Sequence, residues 1–315
     1  MGQFGSRATL AEMPVTEISE EQMAAYKEYS DTAVIVISRC GTESADLSAG
    51  TLKLSEIEAG LVDKAATTFG KVIVLFNIDN IVEMGFLEEY DSIQAAAIIW
   101  APGEVGMDSV GKMLSGEVNP SGKLADTIAY HIEDHPSNEN FGDYRYSEEV
   151  DSSNRNPDAF VEYEEGIYVG YRYFETFENA RDSVQYPFGY GLSYTDFAWN
   201  VESIAVAGDT VTATVEVTNI GDVAGKDAVQ VYFSAPYTGA MEKPAVELAA
   251  FAKTKELAPD ESQTLTVTYD VEDTASYDME RAAWVMEAGT YDIRVFKDSK
   301  RSKCERKQRA CQRTG

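Results

Sequence analysis

The chain has few of the residues on which thiol and metal chemistry depend. Its 315 residues include three cysteines and two histidines. Cys304 and Cys311 lie near the end, so Cys40 stands alone in the rest and no disulfide framework is available. Their C-x6-C spacing, with no histidine nearby, is a poor zinc signal. His131 and His135 are four apart, a metal-chelating spacing only on a helix. Pro136 follows at once, so they read as surface histidines. There is no serine elbow, no phosphate-loop lysine and no dinucleotide-binding glycine spacing. No cofactor is called for. Positive charge is scarce too: 26 Lys and Arg face 54 Asp and Glu, a net charge of −28. That excludes nucleic acid and anionic membrane surfaces as partners. No apolar run reaches membrane-spanning length. The start, MGQFGSRATLAEMP, lacks a basic segment followed by an apolar run. A cytoplasmic location is expected; an export signal lost by truncation is the alternative.

What is present in the first half is an alternation of strands and helices. TAVIVIS (32–38), KVIVLFNI (71–78) and AAAIIWA (95–101) are continuous apolar runs, the pattern of strands buried on both faces. Residues 17–30 and 54–69 read as helices, the second opened by Ser55 as a cap, and 108–116 as a short helix closed by Gly116. NPSGKL (119–124) reads as a turn. This spacing predicts an α/β three-layer sandwich around a mostly parallel open sheet.

After Trp199 the pattern changes. VTATVEVTN, AVQVYFSAP, ELAAFAKTKEL, SQTLTVTYDV and GTYDIRVF alternate with period two and are separated by turns such as Asn219-Ile220-Gly221-Asp222. They predict an all-β sandwich without a cysteine pair, nearer to fibronectin type III than to an antibody domain. Between the two patterns, Tyr163–Trp199 holds 12 aromatics in 37 residues, interleaved with glycines. The expected organisation is an α/β domain over 1–162, an aromatic and glycine-rich connector over 163–199, the β-sandwich over 200–296 and a basic tail over 297–315. The tail has eight of the 26 basic residues and two of the 54 acidic ones, leaving residues 1–296 with a net −34. It reads either as a basic arm or as a disordered or foreign segment.

In open α/β sheets, ligands bind beyond the carboxyl ends of strands. Beyond the first strand lies Ser38-Arg39-Cys40-Gly41-Thr42-Glu43-Ser44-Ala45-Asp46, with two carboxylates and an arginine. A neighbouring arginine lowers a carboxylate pKa and burial raises it. On residue types alone, this loop reads first as a solvated polar loop and only second as a site. Asn77–Asn80 and Ala101–Gly106 follow the second and third strands.

Several consecutive segments resemble one family. GKVIVLFNIDNIVEM, WAPGEVGMDSVGKMLSGEVNPSGKLADTIAY, YEEGIYVGYRYFETF and YPFGYGLSYTDF are similar to the non-barrel part of glycoside hydrolase family 3, the family of β-glucosidases and β-xylosidases. VTNIGDVAGKDAVQVYFSAP and EAGTYDIRV resemble its fibronectin-III-like domain. The resemblance covers about residues 15–296. It implies retaining hydrolysis of terminal β-D-glycosides, with a (β/α)8 barrel providing an aspartate nucleophile and the α/β sandwich domain lending an acid/base glutamate. SRCGTESAD aligns with the family's loop, with Thr42 and Ser44 where glycines are usual. Glu43 falls on the acid/base position; Arg39 and Asp46 are the candidate substrate-binding residues.

No nucleophile motif and no barrel are found in this sequence. The resemblance therefore implies a fragment that is nearly inactive alone and whose partners are a β-glycoside or oligosaccharide and the missing catalytic barrel. An exposed patch of Tyr168, Tyr171, Tyr173 and Phe174 would then favour self-association. The competing interpretation is a non-catalytic module for glycan binding or oligomerisation, with Tyr232, Tyr237 and Trp284 as candidate sugar-stacking rings.

Overall fold

The computed structural model describes residues 13–39, 47–141, 144–145, 159–300 and 307–310. Two compact units are present. The first comprises Met1–Val118 and Tyr130–Ile132, the second Asn119–Ala129 and Glu133–Gly315.

In the first unit, helix α1 (Glu20–Tyr29) precedes β1 (Thr32–Ser38), α2 (Glu56–Thr68), β2 (Lys71–Asn77), β3 (Ile93–Ile98) and α3 (Gly103–Ser115). The three strands form a parallel sheet in the order β1-β2-β3. Both α1 and α2 start with a capping box: Ser19 with Gln22, and Ser55 with Glu58. Helix α3 ends at Gly116 in the left-handed conformation, φ 79°. The core comes mainly from β2, where Val72, Val74, Leu75 and Phe76 are buried, and from Val62, Ala65 and Ala66 of α2. β1 is not buried on both faces. Ile35 and Ile37 are buried, but Val34 and Val36 stay 48% and 42% exposed. β3 likewise leaves Gln94, Ala95 and Ala96 exposed. These strands pair only with β2 among the described residues, so their apolar composition reflects the sheet without reporting cover on both sides.

The second unit is built on two antiparallel sheets. Short pairs β4 (Ile128–Ala129) with β7 (Val184–Tyr186) and β5 (Tyr144–Arg145) with β6 (Ala159–Phe160) accompany the single-turn helix α4 (Tyr171–Phe174). One sheet runs β12 (Ser262–Asp270), β9 (Thr210–Asn219), β8 (Phe197–Ala207). The other runs β11 (Glu247–Lys253), β10 (Ala228–Ser234), β15 (Tyr291–Phe296), β16 (Lys307–Ala310). Inward residues of both, including Val215, Val217, Leu265, Val229, Val231 and Val295, form one core. β9 alternates strictly between half-buried and buried positions, as a sandwich strand should. β13 (Ser276–Asp278) and β14 (Ala283–Val285) form a separate hairpin.

The Asn219 turn is a hydrogen-bonded knot. The Asn219 side chain is fully buried. Its Oδ1 accepts from Thr195 Oγ1 and Gly221 N, and its Nδ2 donates to the Val223 and Leu257 carbonyls. The 119–124 segment is stitched to the connector. Asn119 Oδ1 accepts from Tyr194 N at 2.8 Å, and Lys123 Nζ donates to Gly191 O at 2.8 Å. A Cβ at Gly191 would collide with the Gly122 carbonyl.

The connector's rings are mostly spent inside the second unit. Phe174 is 0% exposed and packs with Ala129, Ala180 and Val184, with His135 edge-on at 5.1 Å. Tyr173 lies on the same cluster. Tyr171 stacks on Phe188 at 4.8 Å, and its hydroxyl accepts from Leu248 N. Tyr168 is half-buried against Phe177. The expected patch of Tyr168, Tyr171, Tyr173 and Phe174 is therefore not an exposed one. The single turn of α4 directs successive rings into two small cores. Contacts also continue beyond residue 296. Lys297 Nζ donates to Phe197 O, Ser299 N donates to Phe188 O, and β16 pairs with β15.

Candidate functional site

The carboxyl edge of the parallel sheet gathers three strand ends. Arg39 N donates to Asn77 O and Ile99 N donates to Phe76 O, so the ladder runs just past the ends of β1 and β3. Glu43 and Asp46, together with Cys40, lie outside the described residues. Arg39 lies within them. Its Nε donates to Thr51 O at 2.8 Å, Nη1 to Ser38 O at 2.9 Å, and Nη2 to Lys53 O at 2.8 Å. Nη1 and Nη2 also form a fork on the Glu58 carboxylate. All five N–H donors of the guanidinium are thereby engaged. The residue expected to contact substrate is turned inward and ties the chain on both sides of 40–46 to the start of α2.

Glu58 is the counterpart that the sequence did not single out. It is a buried acid whose Oε2 also accepts from Ser55 N at 2.7 Å. Burial pushes its pKa up, but the Arg39 fork and the two Ser55 donors outweigh this and hold it below the usual glutamate value. The S-x-x-E spacing of Ser55 and Glu58 was the available signal. Across from it, Lys53 Nζ lies 3.5 Å from Glu83, and Glu83 N donates to Leu52 O, so residues 51–53 are held from two sides.

The third strand end is strained. Trp100 adopts φ 56° and is 45% exposed. Positive φ on a bulky residue is a genuine outlier, of the kind that clusters at functional edges. Gly103, at φ 62°, then opens α3. His131 is exposed, whereas His135 is half-buried against Phe174. Burial lowers the His135 pKa against the opposing pull of Asp126 and Asp134. Among the described residues no group of three or more His, Cys, Asp or Glu is placed to hold a metal ion, and no helix is long and apolar enough to cross a membrane.

The three candidate stacking rings separate cleanly. Tyr232 is fully buried, its hydroxyl donating to Gln230 Oε1, so it is a core residue. Tyr237 and Trp284 are exposed at 70% and 72%.

Known proteins give a consistent comparison. Residues 6–171 match the glycosyl hydrolase family 3 C-terminal domain, and residues 227–299 match a fibronectin type III-like domain. A β-glucosidase of Ruminococcus albus is 42% identical over 299 residues, covering 93% of this chain and 29% of that protein. β-Glucosidase A of Butyrivibrio fibrisolvens is 36% identical, covering 87% of this chain and 36% of its own length. The crystal structure of a Paenibacillus barengoltzii β-glucosidase superposes with a TM-score of 0.81 at 39% identity, covering 96% of this chain and 31% of that one. β-Glucosidase 3B of Thermotoga neapolitana, in complex with α-D-glucose, gives 0.82 at 36% identity, over 97% and 41%. The chain thus spans about a third of the length of the curated relatives it matches.

Proposed function

Because the chain belongs to glycoside hydrolase family 3, we propose that it serves as the acid/base half of a β-glucosidase that hydrolyses terminal β-D-glycosides with retention. A retaining glycosidase needs two carboxyl groups about 5 to 5.5 Å apart, a nucleophile and an acid/base. In this proposal Glu43 protonates the leaving oxygen, then takes the proton of the attacking water. The nucleophile comes from a barrel in a separate part of the enzyme. The observation that supports it most is the Arg39 clamp. It fixes both flanks of the Glu43 segment to a helix start, the rigid support an acid/base group requires. Trp100, strained at the neighbouring strand end, is a candidate wall for the same site.

The test is a segment exchange. This chain replaces the matching 299-residue segment of the Ruminococcus albus β-glucosidase. The chimera should hydrolyse aryl β-glucosides, whereas this chain alone should stay below about 1 turnover per second. Glu43→Gln in the chimera should cut kcat/KM at least about a hundredfold on alkyl glucosides, and much less on dinitrophenyl glucosides, whose leaving group needs no proton, although kcat falls on both because the water has lost its base. A folded chimera that is inactive, or equally active with Glu43→Gln, overturns the proposal.

A further inference from the structure

We propose that the β13–β14 hairpin of the second unit is a binding surface for a neutral β-linked oligosaccharide or glucan chain. Its aromatic pair is built by strand register. Tyr277 faces Trp284 across the hairpin, their ring centroids 5.4 Å apart and their planes at 69°. Two aromatics directly opposite hold each other's rotamers. Yet Trp284 remains 72% exposed and Tyr277 47% exposed, so neither ring is needed to fill a core. At the tip, the Asp278 carboxylate accepts from Glu280 N and Arg281 N and pairs with Arg281 at 3.3 Å, which fixes the turn beside the rings.

A third exposed aromatic, Tyr237, is tied by contact to the chain that leaves the hairpin. Glu287 lies three residues after Trp284, at most about 10 Å of extended chain. It accepts from Thr238 Oγ1 at 2.5 Å and pairs with the buried Lys243 at 2.5 Å. Lys243 in turn donates to Pro236 O. Tyr237, between Pro236 and Thr238, is therefore presented on a loop clasped to the chain just past β14.

The chemistry favours a neutral sugar. A fixed ring edged by a carboxylate and a guanidinium offers a flat apolar face to sugar C–H groups and hydrogen-bonding groups to their hydroxyls. The surrounding charge selects against other occupants. A second copy of this chain, at net −28, or any polyanion would meet net repulsion, because Asp278 and Glu280 outnumber Arg281 at the tip, while an uncharged glycan would not. The choice of a β-linked glucan rests on the proposed β-glucosidase function; the stacking platform itself does not.

Native gel electrophoresis of the full chain through a soluble mixed-linkage β-glucan tests it. Retardation is expected, with a dissociation constant about tenfold weaker for Trp284→Ala and for Tyr237→Ala, and unchanged for the control Phe251→Ala, a comparably exposed ring on β11. Circular dichroism verifies that the exposed-site variants stay folded. Absence of retardation overturns the proposal, as does retardation that Trp284→Ala and Tyr237→Ala leave intact. Retardation by glycogen as strong as by β-glucan overturns the β-linked assignment. Binding is read without turnover, so an inactive chimera leaves this result standing and an unretarded band leaves the hydrolytic proposal standing.

Discussion

Glu58→Gln is the sharpest perturbation of the candidate site. The wild-type carboxylate neutralises a guanidinium whose side chain is only 10% exposed, and it is itself 5% exposed. The amide that replaces it has no charge and a single acceptor, so one arm of the fork is lost. Arg39 is left charged, nearly buried and without a counterion. Breaking a buried pair in this way costs about 3 to 5 kcal/mol. The lower figure corresponds to more than about a hundredfold faster local opening. Native-state hydrogen exchange at the amides of 56–62 and 51–53 reads that opening directly. The double variant Arg39→Met, Glu58→Leu removes both charges and should recover most of the loss.

Acid gives a second readout of the same pair. The folded pKa of Glu58 lies below its unfolded value of about 4.3. Its contribution is thus complete above that pH and disappears as pH falls through the folded value. Protection of these amides, taken relative to the intrinsic exchange rate at each pH, should fall in the wild type as pH drops below about 4, and the double variant should lack this component. Exchange within threefold of wild type in Glu58→Gln at neutral pH would refute the clamp.

Two further outcomes check the second unit. Asn219→Ala removes four hydrogen bonds from a fully buried turn and should cost about 3 kcal/mol in urea unfolding followed by circular dichroism, because the abandoned carbonyls stay out of water. Gly191→Ala forces a methyl against the Gly122 carbonyl and should cost about 1 to 3 kcal/mol in the same assay, whereas Gly208→Ala, with open space around it, should lose only what its positive φ imposes.

The sequence carried the strand and helix order because that order is local. β-Branched runs and capping residues specify β1, β2, α2 and the sandwich strands with little help from distant contacts. Exposure is different. Nothing in TAVIVIS indicates that Val34 and Val36 face outward, since cover depends on elements elsewhere. The rings of Tyr171 and Phe174 likewise read as surface residues until α4 turns them into separate cores. At the site, Arg39 was visible as a residue but not as a clamp, because its partners Glu58, Thr51 and Lys53 are 12 to 19 positions away. Tyr277 passed unnoticed beside Trp284. The pairing is a matter of register, and the only trace was two aromatics bracketing a short turn.

The outward valines of β1 have a consequence for how this protein fails. Residues 32–38 contain no charge, proline or glycine. Among the described residues, one edge of the strand has no neighbour. Such a strand is a template for another molecule's copy of itself. The net charge of −28 opposes that encounter in dilute salt, and added salt screens the opposition. Heating should therefore end in precipitate at a rate set by ionic strength, and the temperature at which the protein is lost would describe a kinetic limit of its first unit, not an equilibrium of the whole chain.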